Sequence, residues 1–203
     1  MIGSHNTFTY LPPKNPLYSL FKTLWKCQDL AIEEQYEFGV RFFDIRLIWS
    51  KRRNRWEIGH GLVIVKGIYF KTCMEIGEYM SSKFPEAKYR LVLERDSGLE
   101  RFIDETNELL QTDGDRLIAV IRKKPSWEVL SRSLKYPKTV KDYCVRLFNW
   151  NVNEGFWKNR KENCKFSYTI KRWAKGHNPD INGKMIDDEN ILYFMDYVGS
   201  KEI

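Results

Sequence analysis

An α/β fold with a largely parallel sheet is predicted by two patterns in this chain of 203 residues. Strand-like apolar runs alternate with amphipathic, helix-like segments, as in folds whose parallel strands are joined by crossover helices. Two of the strand-like runs also confine their charged residues to one face, as strands lining an enclosed polar mouth would.

Residues 2–5 read as a short strand. Asp29 is placed to cap a helix over 29–38, with Glu33 and Glu34 near its positive end and Gly39 to stop it. Residues 41–49 read as a strand, 51–55 as a polar turn and 56–65 as one returning strand. A helix over 71–84 leads to a strand over 89–95, and a helix over 99–110 to a strand over 116–121. Residues 143–148 read as a further strand, 154–173 as mostly helical and 191–198 as the closing strand. No internal repeat, low-complexity tract or linker interrupts the series, so residues 1–203 are read as one domain.

Side-chain alternation narrows the architecture. Phe42, Asp44 and Arg46 share one face of their strand, opposite Phe43, Ile45 and Leu47. The closing strand repeats this, with Leu192, Phe194 and Asp196 opposite Tyr193, Met195 and Tyr197. A strand covered by helices outside presents its wholly apolar face to them. The charged face must then look inward, and parallel α/β barrels keep their chemistry at the carboxyl ends of their strands. A TIM-type (β/α) barrel follows. Such barrels usually take about 250 residues, so this one is expected to be distorted or incomplete.

Composition excludes little but bounds the rest. Hydrophobic residues make up 42% and aromatic ones 15%, which fits a folded core rather than a disordered chain. The net charge of +7 suits an anionic partner: a phosphate ester, an acidic lipid surface or nucleic acid. Cys27, Cys73, Cys144 and Cys164 show no CxxC pair and no metal-ligand spacing, and are read as reduced thiols. No basic and apolar leader precedes the first histidine, which predicts a cytoplasmic protein, or a secreted one if a leader is missing from the chain as given. The most apolar stretch, 62–70, is broken by Lys66 and is too short for a transmembrane segment.

Two of the three histidines, His5 and His60, lie in short segments rich in Gly and Ser. Between them, Asp44 and Arg46 stand two residues apart on one strand face. Two imidazoles able to titrate near neutral pH, a guanidinium and supporting carboxylates are the equipment for metal-free cleavage of a phosphodiester. An ion pair at a strand end is the plain alternative for either strand alone.

The segments Gly3-Ser4-His5-Asn6-Thr7, Gln28-Asp29-Leu30-Ala31-Ile32-Glu33-Glu34-Gln35, Gly39-Val40-Arg41-Phe42-Phe43-Asp44-Ile45-Arg46 and His60-Gly61 follow one pattern. In order and spacing it resembles the X domain of phosphatidylinositol-specific phospholipase C, in its bacterial and small X-domain-only form. The likeness is continuous over roughly the first third of the chain. It returns weakly at Leu91-Val92-Leu93-Glu94 and Met195-Asp196-Tyr197-Val198, and covers nothing between about 100 and 190.

That resemblance implies a reaction in which an internal hydroxyl attacks phosphorus and a cyclic phosphate forms as the lipid alcohol leaves. It makes the protein either a phosphoric diester hydrolase or a phosphorus-oxygen lyase. By position His5 is the general base and His60 the general acid, Asp196 orients His5, Arg46 neutralises the phosphoryl oxygens and Asp44 holds Arg46. Asn6, Glu94 and Trp150 are the candidate substrate-binding residues.

The resemblance also bears on metal. A carboxylate stands at the position of Arg46 in the calcium-dependent branch of the family, so a fixed cation there implies no metal cofactor. Asn6 departs from this, because metal-free relatives usually carry Asp after the first histidine. If Ca²⁺ is bound, Asn6, Asp44 and Glu94 are its expected ligands.

Smaller features stay open. Lys51, Arg52, Arg53 and Arg55, bracketed by Trp49 and Trp56, could seat on an anionic membrane or form a solvated turn. The cluster Lys158, Arg160, Lys161 and Lys165 reads as a helix face, and no nucleic-acid-binding motif accompanies it. His177 lies in a loop-like segment and is given no role. Three functions compete: a phospholipase C-type phosphodiesterase, a metal-dependent glycerophosphodiester-type enzyme, and a silent phospholipid-binding module.

Overall fold

The computed structural model describes residues 1–113, 115–122, 127–132, 139–142 and 191–199. Within them the strands are β1 Ile2–Ser4, β2 Val40–Ser50, β3 Arg55–His60, β4 Val63–Phe70, β5 Lys88–Leu93, β6 Leu117–Arg122, β7 Trp127–Arg132, β8 Thr139–Asp142 and β9 Ile191–Met195. The helices are α1 Ile32–Glu37, α2 Cys73–Lys83 and α3 Leu99–Asp113, with 3₁₀ segments at Thr7–Tyr10, Pro16–Leu24 and Lys51–Arg53.

A run of six parallel strands, β6-β5-β2-β1-β9-β8, forms the body of the sheet. β7 adds antiparallel to β6 at one end of this run, and among the described residues no pairing closes β7 onto β8. Over the described residues the architecture is a TIM-type α/β barrel that is left incomplete, as expected for the length.

The inner and outer faces separate as the alternation predicts. Phe42, Val92, Ile118, Val120, Leu192 and Phe194 pack together as a compact inner cluster. The opposite faces supply Phe43, Ile45, Leu47, Leu91, Leu93, Leu117, Tyr193 and Met195 to a larger core. That core includes Cys73, Ile76 and Met80 of α2 and Phe102 and Leu109 of α3. Thr72 caps α2 by accepting from the Glu75 N–H at 3.2 Å.

Three local expectations are corrected. Residues 56–65 are not one strand but the two arms of a hairpin, β3 and β4, with His60 paired to Val63 across a two-residue turn. Gly61 begins that turn at φ +60°, a left-handed backbone that glycine takes without steric penalty. This hairpin docks on the end of β2, whose last residues pair with β3 after it has left β1, Leu47 still pairing with β5 on its other side. Asp29 does not cap α1; it pairs with Lys26 at 2.8 Å, and the helix starts after Ala31, whose N–H donates to Glu34 Oε2. β7 and β8 were not anticipated. The expected strand at 143–148, the helical stretch 154–173, Trp150, the 158–165 basic cluster, Cys144, Cys164 and His177 all lie outside the described residues. Cys27 and Cys73 are free thiols, both buried. Among the described residues no helix is long and apolar enough to cross a membrane.

Candidate active site

β1 ends at Ser4, so His5 and Asn6 emerge at its carboxyl end, between β2 and β9. The His5 N–H donates to Met195 O at 2.9 Å, extending the parallel ladder by one residue. Asn6 then turns into the left-handed region at φ 48°, where Asn is among the better-tolerated side chains.

Buried polar residues hold this turn. Gln28 Nε2 donates to His5 O at 2.9 Å and to Met195 O at 3.1 Å, while its Oε1 accepts from Val198 N–H. Thr9 Oγ1 accepts from the backbone N–H groups of Cys27 and Gln28 and donates to Asn6 O. Thr7 Oγ1 accepts from Asp44 N–H. The segment carrying Gln28 is thereby stitched to the carboxyl ends of β1 and β9.

His5 is nearly enclosed, at 4% exposure. Its Nδ1 lies 2.6 Å from Asp196 Oδ1, and its Nε2 lies 2.6 Å from Arg46 Nη2. A guanidinium has only donors, so Nε2 must present its lone pair and Nδ1 must carry the proton given to Asp196. Burial is the chief pressure keeping the ring neutral, and Arg46 adds to it against the opposing pull of Asp44; the pKa falls well below the usual 6.5.

Arg46 sits between two carboxylates, with Nε 3.0 Å from Asp44 Oδ2 and Nη1 3.4 Å from Glu94 Oε2. Burial works against its charge, but Asp44 and Glu94 outweigh it and keep the guanidinium firmly protonated. Asp44 also accepts from Asn6 N–H at 2.9 Å and from Arg90 Nε at 2.5 Å. Burial would raise its pKa, yet Arg46, Arg90 and His5 together hold it far below the ordinary carboxylate range.

His60 approaches from the hairpin, its ring 6.1 Å centroid to centroid from that of His5 and edge-on to it. Its Nδ1 lies 2.8 Å from Trp25 O, a carbonyl that can only accept, so Nδ1–H donates there and Nε2 is the other ring nitrogen. The neighbouring Gly61 peptide is clamped at both ends: its N–H donates to Glu94 Oε1 at 2.7 Å, and its C=O accepts from Arg95. Glu94 therefore links the hairpin tip to Arg46.

His5, His60, Arg46, Asp44, Asp196, Asn6 and Glu94 are thus brought into one cluster. Of the residues expected to hold Ca²⁺ if it is bound, Asp44 and Glu94 both contact the Arg46 guanidinium. At the basic turn Lys51, Arg52, Arg53 and Asn54 are exposed, as a solvated turn would be. Trp56 is fully buried, Trp49 is half-buried under the Arg101 guanidinium, and Arg53 and Arg55 turn onto the buried Glu57 with Lys14. The two indoles are core and rim residues, not a pair facing outward.

Sequence reasoning missed Arg90, Gln28 and Cys27. Arg90 shares its strand face with Glu94 by simple alternation, and its guanidinium stacks 4.3 Å from the Phe194 ring inside the barrel. That parity was the signal. Gln28 and Cys27 carry no periodic signature, since they lie in a loop.

No protein-family model matches the chain, and no curated protein matches it in sequence. Solved structures do. Phosphatidylinositol-specific phospholipase C from Listeria monocytogenes superposes with a TM-score of 0.57 at 16% identity, over 97% of this chain and 87% of that one. The F249X mutant of the Staphylococcus aureus enzyme gives 0.58 at 16% identity, over 98% and 86%. The chain has their fold. At this identity the likeness speaks for the fold alone, and any chemistry rests on the residues described above.

Proposed function

We propose that the protein is a phosphodiesterase of the phospholipase C type, cleaving phosphatidylinositol or a closely related phosphodiester through a cyclic phosphate. The observation that carries this reading is His5, held between Asp196 on one ring nitrogen and Arg46 on the other.

Neutral His5 accepts at Nε2 the proton of a headgroup hydroxyl as that oxygen attacks phosphorus. Asp196 takes the Nδ1–H bond throughout and stabilises the imidazolium that forms, as the carboxylate of a hydrolase triad does. Arg46 moves its Nη2 bond from the imidazole to a non-bridging oxygen, where a fixed cation in a dry site is worth about 3 kcal/mol or more. That exchange also frees the Nε2 lone pair, so substrate binding and base activation become one event. His60 enters protonated and gives its Nε2 proton to the departing lipid oxygen, its ring aimed by Trp25 O. Asp44 and Arg90 keep the guanidinium in register.

On this reading the reaction needs no metal cofactor, because Arg46 supplies the charge that Ca²⁺ would. A lipid substrate is supported by the surface around the mouth. Leu17, Leu20, Phe21 and Leu62 are exposed by 65, 77, 55 and 74%. Both ends of the 3₁₀ segment bearing the first three are anchored on the hairpin that carries Leu62, through Lys14 N–H to Ile64 O and His60 to Trp25 O.

Phosphorus NMR of the protein with phosphatidylinositol micelles, run with EDTA and with Ca²⁺, tests the proposal. A cyclic inositol phosphate signal that survives EDTA is expected. A signal seen only with Ca²⁺ would overturn the metal-free mechanism, and no signal in either tube would overturn the substrate.

A further inference from the structure

The chemistry above makes no use of Cys27, although it is fully buried against the catalytic pair. One donor atom each from His5, Cys27 and Asp196 lie within 4.8 Å of one another. We propose that His5, Cys27 and Asp196 form an inhibitory Zn²⁺ site, with the side-chain oxygen of Asn6 as the fourth donor.

The donor set selects the ion. Imidazole, thiolate and carboxylate are zinc ligands, whereas calcium and magnesium take oxygen and are not drawn to sulfur. Tetrahedral zinc places neighbouring N, O and S donors about 3.3–3.7 Å apart, given bonds of about 2.0–2.3 Å. His5 Nδ1 and Asp196 Oδ1, now 2.6 Å apart, need only open slightly to admit an ion.

Asn6 supplies an independent pointer. Its Oδ1 is buried without a hydrogen-bond partner among the described residues. Its Nδ2 meanwhile sits 3.3 Å from Cys27 Sγ and 3.1 Å from His5 Nε2. Turning the amide over exchanges those two atoms and brings the unpartnered oxygen to the cluster, an exchange that leaves the side-chain shape unchanged.

The charges balance. Zn²⁺ bonds to Sγ as the S–H bond breaks, that proton leaving to the buffer, and to His5 Nδ1 as its proton moves to Nε2, from which Arg46 Nη2 turns away; thiolate and Asp196 then neutralise the ion. Burial and the Asp196 carboxylate push the Cys27 thiol well up, so without a metal it stays protonated and is a poor nucleophile. Arg46, Arg90 and His60 also face the cluster and oppose a dication, while Asp44 favours it. Entry is short: Cys27 Sγ lies 3.9 Å from Nδ1 of His60, which is part-exposed at the mouth. Once bound, zinc holds the imidazole and the carboxylate that orients it, and the base is lost. That inhibition rests on the reading of His5 as base; the binding does not.

The test is a titration of EDTA-treated, desalted protein with Co²⁺ as a spectroscopic probe, followed by Zn²⁺. One equivalent of cobalt is expected to give the visible bands of a four-coordinate ion and a near-ultraviolet thiolate-to-cobalt band, both removed by one equivalent of zinc. Cys27→Ser should abolish the sulfur band and weaken binding beyond the roughly 100-fold that loss of an outer-shell partner costs. No sulfur band in the wild type, or an unchanged one in Cys27→Ser, would overturn the site. If that variant does not fold, X-ray absorption of the zinc-bound wild type decides: one sulfur among lighter neighbours supports the site, nitrogen and oxygen alone refute it. Zinc should also stop turnover of phosphatidylinositol over the range in which it displaces cobalt. Cobalt bound through Cys27 with turnover untouched by zinc would refute the inhibition. A wild type with no turnover would count against the phospholipase reading and leave the cobalt result standing.

Discussion

Arg46 donates from Nη2 to Nε2 of His5 at 2.6 Å, so the nitrogen that takes a proton in the proposed mechanism is hydrogen-bonded to a permanent cation. The contact fixes the tautomer and lowers the basicity of the ring. Burial depresses the His5 pKa most, Arg46 next, with His60 and Arg90 contributing in the same direction. A base works in its neutral form, so a lowered pKa moves the acidic limb of the rate profile below the ordinary 6.5. Substituting Arg46→Ala removes the cation and lets Asp44 pull the pKa up, so the limb should move to higher pH. The rate should fall about 10²-fold or more from lost phosphoryl stabilisation. A pH profile of kcat/KM for both proteins checks this; a limb that moves down would show that Arg46 does not set the basicity of His5.

Asp196 accepts from Nδ1 of His5 from the far end of the chain, 191 residues away in sequence. Asp196→Asn keeps the size but can offer an amide N–H to Nδ1, which favours the tautomer with its proton on Nε2. The base then faces substrate with its proton already in place. Loss on the order of 10⁴-fold in kcat, with little change in KM, is expected by analogy with such a tautomer switch in a hydrolase triad. Single-turnover kinetics alongside a thermal melt separates this from unfolding, and a variant with near-native kcat would remove Asp196 from the mechanism.

Much of this site was legible because it is written in strand alternation. Phe42, Asp44 and Arg46, and Leu192, Phe194 and Asp196, point inward because a two-residue period on a sheet covered by helices leaves no other choice. The same rule would have found Arg90 from Glu94. The hairpin at Gly61 was hidden because strand-like residues stand on both sides of it, and one Gly–Leu pair is a weak turn signal between them. The α1 start was misread for a different reason. Asp29 is a good cap in isolation, but the loop from Trp25 to Leu30 carries Gln28 into the strand ends, and Asp29 is drawn to Lys26 instead. Contacts of that kind depend on the assembled barrel and leave no periodic trace in sequence.

Gly59 lies one residue before His60 and permits the hairpin to close. A Cβ built there would stand 2.4 Å from Val63 O and 2.7 Å from Ile48 Cδ1. The first is backbone of the facing strand and cannot rotate away. Gly59→Ala is expected to destabilise by about 1–3 kcal/mol, the usual range for forcing a methyl into packed space. It should also displace His60, so activity should fall further than the folded fraction does. Urea unfolding with activity per folded molecule measures both; unchanged activity per folded molecule would mean that hairpin register does not position His60.

The proposed lipid substrate would reach the site past the apolar rim. Leu20 is 77% exposed and lies on a 3₁₀ segment that also exposes the apolar side chains of Leu17 and Phe21. Solvent exposure of three such groups in one turn has no folding benefit, but insertion at a bilayer surface would bury them at about 25 cal/mol per Å² of apolar area. Lys22 in the last turn of the segment adds attraction to anionic lipid, on the order of 1 kcal/mol for a cation near the surface. Leu20→Asp reverses both terms without touching the catalytic cluster. Sedimentation with vesicles of phosphatidylinositol and phosphatidylcholine should show at least tenfold weaker binding, while cleavage of a water-soluble headgroup phosphodiester stays at the wild-type rate. Equal loss on vesicles and on the soluble substrate would mean that the segment supports the site through Trp25 O and His60 and does not seat the protein on lipid.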